Sequence, residues 1–297
     1  MNKELIAQLI SSLSPEFRHL GHELAQKASA EAYLNRIVSR KTLSISVTGT
    51  YCEQDCSHCN GHFLKGMTPL AKLEKIDLKQ YDSVLISGGS DKNGEVPIAR
   101  YAKQILDLPE NLILNIHPGF QPVEKLLFLK DRNCVFSFDL PASNDIIKNV
   151  FGLCFSKKEY EELFLEYSKN FKTIPHLNLG LGGPDCKVEK ETIDFLANNH
   201  SGDIVFILFR PTIGTRLENQ EAPKIEKVIE IFSYTRQRTK SGLLLGCMRP
   251  SGLYRKNIDI LAWLSGIRNI VQPDHALINI LKENSIPIEE KFRCCAL

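Results

Sequence analysis

Three cysteines, Cys52, Cys56 and Cys59, stand in the run Tyr-Cys-Glu-Gln-Asp-Cys-Ser-His-Cys. Their C-x3-C-x2-C spacing supplies three thiolates, one fewer than a closed four-ligand site takes. A four-iron cluster held by three cysteines keeps one iron open to a small molecule, which makes it a reactive site rather than a structural staple. A zinc site completed by His58 or His62 would use the same loop. Against zinc, paired C-x2-C knuckles are absent and no second Cys/His pair follows at the usual distance. The spacing alone leaves both metals open.

Other residue types with chemical reach recur further along. Ser87-Gly88-Gly89-Ser90 pairs glycines, which let backbone approach a ligand closely, with two hydroxyls. The same glycines also suit an ordinary strand-to-helix turn. Asp139 lies among apolar neighbours in Phe-Ser-Phe-Asp-Leu-Pro, and a carboxylate in such surroundings needs partners. His117, Asn178 and Arg210 are polar groups in or at the ends of apolar runs, readable as core residues or as ligand contacts. Gly246-Cys247-Met248-Arg249-Pro250 closes another run, and the sequence finishes Arg293-Cys294-Cys295-Ala296-Leu297. A vicinal cysteine pair near a terminus has no packing rationale. It is explained if the tail folds back and gives thiolates to a second centre together with Cys247. Cys134, Cys154 and Cys186 are the competing ligands.

These residues need elements to hold them. Apolar positions at Leu5, Ile6, Leu9, Ile10 and Leu13 repeat at helical spacing, Ser14-Pro15 starts a new helix, and Ala/Glu/Leu-rich sequence predicts helix to Val38. Strands are predicted at 42–48, 83–87, 112–117, 135–140, 174–181, 204–209, 243–247 and 267–272. Their near-continuous apolar character fits parallel strands covered by helices. Helical stretches fall between them, at 96–108, 122–130, 159–170, 189–198, 225–239 and 258–265. The alternation predicts an α/β fold, a closed (β/α)8 TIM-type barrel, with a six-stranded partial barrel as the alternative. A single domain is expected over 1–297. It comprises a helical extension at 1–41, the barrel at 42–273, and a C-terminal helix and Cys-Cys tail over the barrel mouth at 274–297.

A parallel barrel carries its chemistry where its strands end. The cysteine loop follows the first strand and Ser87–Ser90 the second. His117 and Asp139 end the third and fourth, Asn178 lies in the fifth, Arg210 ends the sixth, and Cys247 the seventh. That coincidence is stronger than any one motif.

The 297 residues are 43% hydrophobic and carry a net charge of +2, so nothing points to nucleic acid or an anionic membrane. No apolar run approaches a membrane span. Met1–Ser14 lacks the pattern of a signal peptide. Nine cysteines without an export signal are expected to be thiols in a reducing, cytoplasmic setting.

From roughly Thr42 to Pro273 the chain resembles the biotin synthase-like radical S-adenosylmethionine (SAM) proteins. The carrying segments are the cysteine loop, Ile-Ser-Gly-Gly-Ser (86–90), Ser-Phe-Asp-Leu-Pro (137–141), Pro-His-Leu-Asn-Leu-Gly-Leu-Gly-Gly (175–183) and Gly-Cys-Met-Arg-Pro (246–250). With the Cys-Cys tail they look most like the split-type lipoyl synthases, in which two such proteins share the work. The family's Gly-Gly-Glu type motif has Ser90 where the acid is commonest. Biotin synthase takes auxiliary-cluster ligands from interior strand positions that have no match here. The resemblance implies a [4Fe-4S] cluster on Cys52, Cys56 and Cys59, and SAM bound near Ser87, Gly88, Gly89, Ser90, His117, Asp139, Asn178 and Arg210. It also implies a second iron–sulfur cluster on Cys247, Cys294 and Cys295. The implied reaction cleaves SAM to a 5′-deoxyadenosyl radical for sulfur insertion into an octanoyl group, with no catalytic side chain assigned. Implied partners are a small-molecule or lipoyl-domain-bound octanoyl substrate, a ferredoxin or flavodoxin as electron donor, and a second radical SAM protein. A radical methyltransferase, a small-molecule biosynthetic enzyme and a non-catalytic metal scaffold remain the alternatives.

Overall fold

Strands form where apolar and β-branched residues run together between glycine, proline and polar breaks. The computed structural model describes residues 2–27 and 31–297. It begins with helices α1 (Lys3–Ser12) and α2 (Arg18–Lys27), then strands β1 (Leu34–Ile37), β2 (Thr42–Ser46), β3 (Thr68–Pro69) and β4 (Ser83–Ser87). Helix α3 (Ala102–Leu106), β5 (Ile113–Ile116), β6 (Cys134–Asp139), α4 (Lys157–Asn170), β7 (Thr173–Leu179) and α5 (Glu189–Asn199) follow. The chain continues through β8 (Ile204–Leu208), α6 (Ile225–Arg238), β9 (Leu243–Leu245), α7 (Leu253–Leu264), β10 (Asn269–Val271), α8 (His275–Glu283) and β11 (Ile288–Lys291).

All eleven strands join one sheet in the order β11-β1-β10-β9-β8-β7-β6-β5-β4-β2-β3, and the ten pairings are parallel. The eight predicted strands all form, as β2 and β4 to β10. Closure into an eight-stranded barrel would pair β10 with β2, and that pairing is not made among the described residues. Instead β10 pairs with β1, a strand in the stretch expected to be helical to Val38, and β1 pairs in turn with β11, inside the expected tail. Positions 28–30 of that expected helix lie outside the described residues.

The sheet nevertheless curls. β1 and β2 are separated in sequence only by Val38–Lys41, yet lie eight steps apart in the sheet. A flat sheet would place them ~38 Å apart, at ~4.8 Å per step. The chain from Ile37 to Thr42 reaches at most ~18 Å. Only a strongly curved sheet satisfies both.

Period-two alternation then sorts each strand. Phe136, Phe138, Leu177, Leu179, Phe206 and Leu208 face outward into the main core, against Tyr160, Phe164, Val228 and Phe232 of the covering helices. Ile37, Val135, Ile174, Val205, Ile207, Leu244 and Val271 face inward and pack with Cys295 and Ala296 of the tail. The concave side is thus filled at one end by apolar side chains and left to polar ones at the other.

Candidate functional site

The concave positions that follow the apolar ones are Asn115 and His117 after β5 begins, Ser137 and Asp139 on β6, and His176 and Asn178 on β7. Each pair is spaced by two, so both members look into the curl. All of them but Asn115 border a cavity of roughly 320 Å³, along with Cys56, His58, Ser90, Cys247, Cys294 and Cys295. Asp139 and Cys247 retain open surface, but that surface faces the cavity.

The cysteine loop covers one side of the cavity. Backbone N–H groups of Glu53 and Gln54 both donate to the Ser90 carbonyl, at 3.0 and 3.1 Å. Gly89 N–H donates to Thr48 Oγ1 at 2.7 Å, and Thr48 Oγ1 donates to the Tyr51 carbonyl at 2.7 Å. A β-carbon on Gly89 would collide with the Tyr51 carbonyl and with Cys52, so only glycine lets the two segments approach this closely. On the opposite flank Ser57 N–H donates to Val150 O at 2.8 Å, Ser57 Oγ to Asn149 O at 3.1 Å, and the Gln54 amide to Phe151 O. The loop is held from two sides.

Within it, the ligand atoms of Cys56, His58 and Cys59 lie within 4.8 Å of one another. Cys52 lies outside that trio, with its thiol 3.3 Å from Gln54 O and 3.8 Å from Ser90 O. A hydrogen bond from Cys56, aided by His58, draws the Cys59 thiol down to about 4; the same bond and burial push Cys56 up.

The tail thiols meet at the same cavity. Cys294 and Cys295 have their sulfurs 3.8 Å apart, and Cys295 Sγ lies 3.4 Å from His176 Nε2. Asn115 Nδ2 donates to Cys294 Sγ at 3.1 Å, and Ser137 Oγ donates to Asn115 Oδ1 at 2.7 Å. Cys295 draws the Cys294 thiol down to about 6, while burial and the nearby Cys294 raise Cys247. The His117 ring centroid is 5.4 Å from that of His176, and burial lowers the two imidazoles to about 3 and about 4. Burial likewise raises Asp139 to about 6. Cys247 is fixed from behind by Arg249, whose guanidinium donates to Asp259 at 2.7 and 3.0 Å and to the carbonyls of Gly246 and Val271.

The predicted residues divide accordingly. Ser90, His117, Asp139 and Asn178 border the cavity with Cys56 of the loop and with Cys247, Cys294 and Cys295. Ser87, Gly88 and Gly89 lie behind the loop and brace it. Arg210 does not reach the cavity: its guanidinium stands 5.8 Å from the Phe63 ring. It takes the outward parity of β8, opposite to Val205 and Ile207. Cys134 bonds Leu129 O at 3.5 Å, Cys186 is packed in the main core and Cys154 is exposed, so none joins the tail thiols. Asn115, Ser137 and His176 were not anticipated, although their spacing by two from His117, Asp139 and Asn178 would have found them.

Comparison with solved structures places this architecture. The methylornithine synthase PylB shares it at a TM-score of 0.58 and 12% identity, over 97% of this chain and 90% of that one. Those likenesses show a shared fold. SuiB of Streptococcus suis bound to S-adenosylmethionine matches at 0.51 and 14% identity, over 81% of this chain and 57% of its own. SuiB bound to its precursor peptide SuiA also matches at 0.51, over 81% of this chain and 55% of that one. This chain thus spans little more than half the length of SuiB. No family model and no curated protein sequence matches it.

Proposed function

We propose that this chain is a radical SAM enzyme, with Cys52, Cys56 and Cys59 as ligands of a [4Fe-4S] cluster and SAM bordering Ser90, His117, Asp139 and Asn178. The residues present fit such groups. Among the described residues, Gln54 Oε1, His58 Nδ1 and Asn178 Oδ1 are buried without a hydrogen-bond partner, and Gln54, His58 and Asn178 all border the cavity. Buried polar atoms are rarely left unpaired, so an occupant with complementary polar groups satisfies them. The shared fold with SuiB, solved with SAM, supports the same reading. When bound, the cluster and SAM supply a 5′-deoxyadenosyl radical able to take hydrogen from an unactivated carbon. The chain's own residues hold the thiolates open to the cavity, wall out water with Leu140, Leu153 and Phe120, and orient polar groups of the occupant.

The finer reading is sulfur insertion into an octanoyl chain on a protein lysine, as in lipoyl synthases. One observation carries it: the Cys294–Cys295 pair is drawn from the tail into the curl, where it borders the same cavity as Cys247 and as Cys56 of the cysteine loop. Sulfur chemistry needs a second thiolate-rich centre facing the substrate, and these three supply it. A ferredoxin- or flavodoxin-type donor and a second radical SAM protein belong to this reading. Anaerobic reconstitution with iron and sulfide tests it. Roughly eight irons per chain, falling to about four in a Cys247→Ala/Cys294→Ala/Cys295→Ala variant, fit two cubanes. Sulfur gained by an octanoylated lipoyl domain, read by mass spectrometry, completes the test. Equal iron in both proteins removes the sulfur reading.

A second reading keeps the radical chemistry without sulfur, on a small molecule or a peptide. The fold shared with PylB over nearly the whole chain favours it. Unchanged product formation by the triple tail variant decides for it. Absence of 5′-deoxyadenosine from the reduced wild type leaves only a metal-binding scaffold.

A further inference from the structure

The tail thiols have a neighbour that is not a thiol. His176 lies on β7, 3% exposed, with its ring between the strand backbone and the tail. Its Nδ1 is 3.1 Å from the carbonyl oxygen of Ile174. A carbonyl oxygen can only accept, so Nδ1 carries the ring proton and Nε2 is left with its lone pair bare. That bare nitrogen is the atom 3.4 Å from Cys295 Sγ. A backbone carbonyl that fixes the far nitrogen of an imidazole is the usual support of a metal-bound histidine.

The sulfurs show similar preparation. Asn115 turns its amide N–H toward Cys294 Sγ at 3.1 Å, and its Oδ1 accepts from the Ser137 hydroxyl at 2.7 Å. Such a donor stabilises a thiolate and holds it in place. Arg249 is buried with Asp259 and bonds the Gly246 carbonyl, which fixes the backbone entering Cys247. Two sulfurs and one oriented nitrogen therefore meet at the cavity, from the tail and β7, and Cys247 at the end of β9 borders the same cavity.

We propose that the inner centre is a mixed thiolate–imidazole metal site, with His176 Nε2 as its nitrogen ligand beside Cys247, Cys294 and Cys295. The occupant is an iron–sulfur centre, and this rests on the reading that the tail holds a metal at all. His117 is the other imidazole nearby, but no hydrogen bond ties it to either tail sulfur, and it is assigned no ligand role. Asn115 and Ser137 are positioning residues for Cys294.

The test uses full-length protein with Cys52, Cys56 and Cys59 replaced by alanine, reconstituted with ferrous iron and sulfide, so that only the inner centre reports. Pulsed electron paramagnetic resonance of the reduced centre, with isotope-labelled histidine, reads nitrogen coupling directly. The expected result is a histidine nitrogen coupling that His176→Gln abolishes and His117→Gln leaves intact. His176→Cys should keep the iron, lose the coupling and lower the reduction potential, because a thiolate adds negative charge where the imidazole was neutral. Retained iron in His176→Cys shows that the fold survives the change. Iron binding without nitrogen coupling, or coupling lost only in His117→Gln, overturns the histidine assignment while leaving a metal at the tail. No iron in the protein lacking the three loop cysteines overturns both.

Discussion

The two cysteine groups meet at one cavity, bordered by Cys56 of the first and by all three of the second, but they are built in opposite ways. Cys52, Cys56 and Cys59 lie within eight residues on one loop, which is tied by backbone hydrogen bonds to Ser90 on one side and Val150 on the other. Cys247, Cys294 and Cys295 come from the end of β9 and from the tail, and are held by side chains: Asn115, Ser137, His176 and Arg249. A local group needs a loop shape, and glycine supplies it. A dispersed group needs the finished sheet, and buried polar side chains aim it. If both groups hold metal as proposed, the loop group needs only its own loop to be formed, whereas the tail group depends on packing across the curl.

The largest expected effect breaks the pair apart functionally. Alanine at Cys56 or Cys59 should reduce 5′-deoxyadenosine formation under dithionite to background, measured by chromatography of the quenched reaction. The double tail variant Cys294→Ala/Cys295→Ala should still form it. If both variants lose SAM cleavage alike, the division of labour is wrong. Next comes Gly89→Ala, whose added methyl meets the Tyr51 carbonyl and Cys52. Iron uptake at the loop should fall sharply while uptake at the tail persists, as counted in proteins that carry one cysteine group each.

A smaller effect sharpens the contrast on the tail side. Arg249 and Asp259 are both 0% exposed at their side chains and bonded at 2.7 Å. Removing one partner strands a buried charge, so Arg249→Met should cost about 3–5 kcal/mol in urea unfolding. It should also loosen the tail site more than the loop site. The smallest effect is on pH. His117 and His176 sit below the ordinary imidazole value of 6.5, chiefly because burial disfavours the charged ring. The unfolded chain then binds protons that the folded one refuses, so the stability is present above about 6.5 and is lost as pH falls through about 4 and then about 3. Metal-free protein should show this decline in denaturant midpoint, and His176→Gln should flatten it. A midpoint that rises on acidification would contradict the neutral, buried state of these rings.

Much of the sheet was legible because parallel strands covered by helices are written as apolar runs, and Ser83–Ser87 matches its predicted span. What escaped lies at the flank. β1 is Leu-Asn-Arg-Ile, with too few apolar residues to stand out from the helical sequence before it, and β11 is Ile-Glu-Glu-Lys, whose charges suit a sheet edge. Missing these two strands is what made the barrel look closed. The loop cysteines were readable from spacing, and the tail pair from its oddity, but no local pattern says where a tail goes. Asn115, Ser137 and His176 were hidden inside apolar strings, where the face of each residue had to be counted. Counting the same alternation would have set Arg210 on the wrong face.

The strand β1 has a consequence for how the molecule is made. Asn35 pairs with Asn269 on one side and Glu289 on the other, and its side-chain amide donates to that of Asn269 at 2.8 Å. Contacts between residues so remote in sequence are slow to form, since loop closure must precede any gain. A chain emerging from the ribosome can assemble the cysteine loop and its neighbouring strands while β1 still waits for its two neighbours. The thiol pair just past β11 is synthesised well after the loop, so, on the proposed reading of both groups as metal ligands, the loop is expected to acquire metal before the tail does.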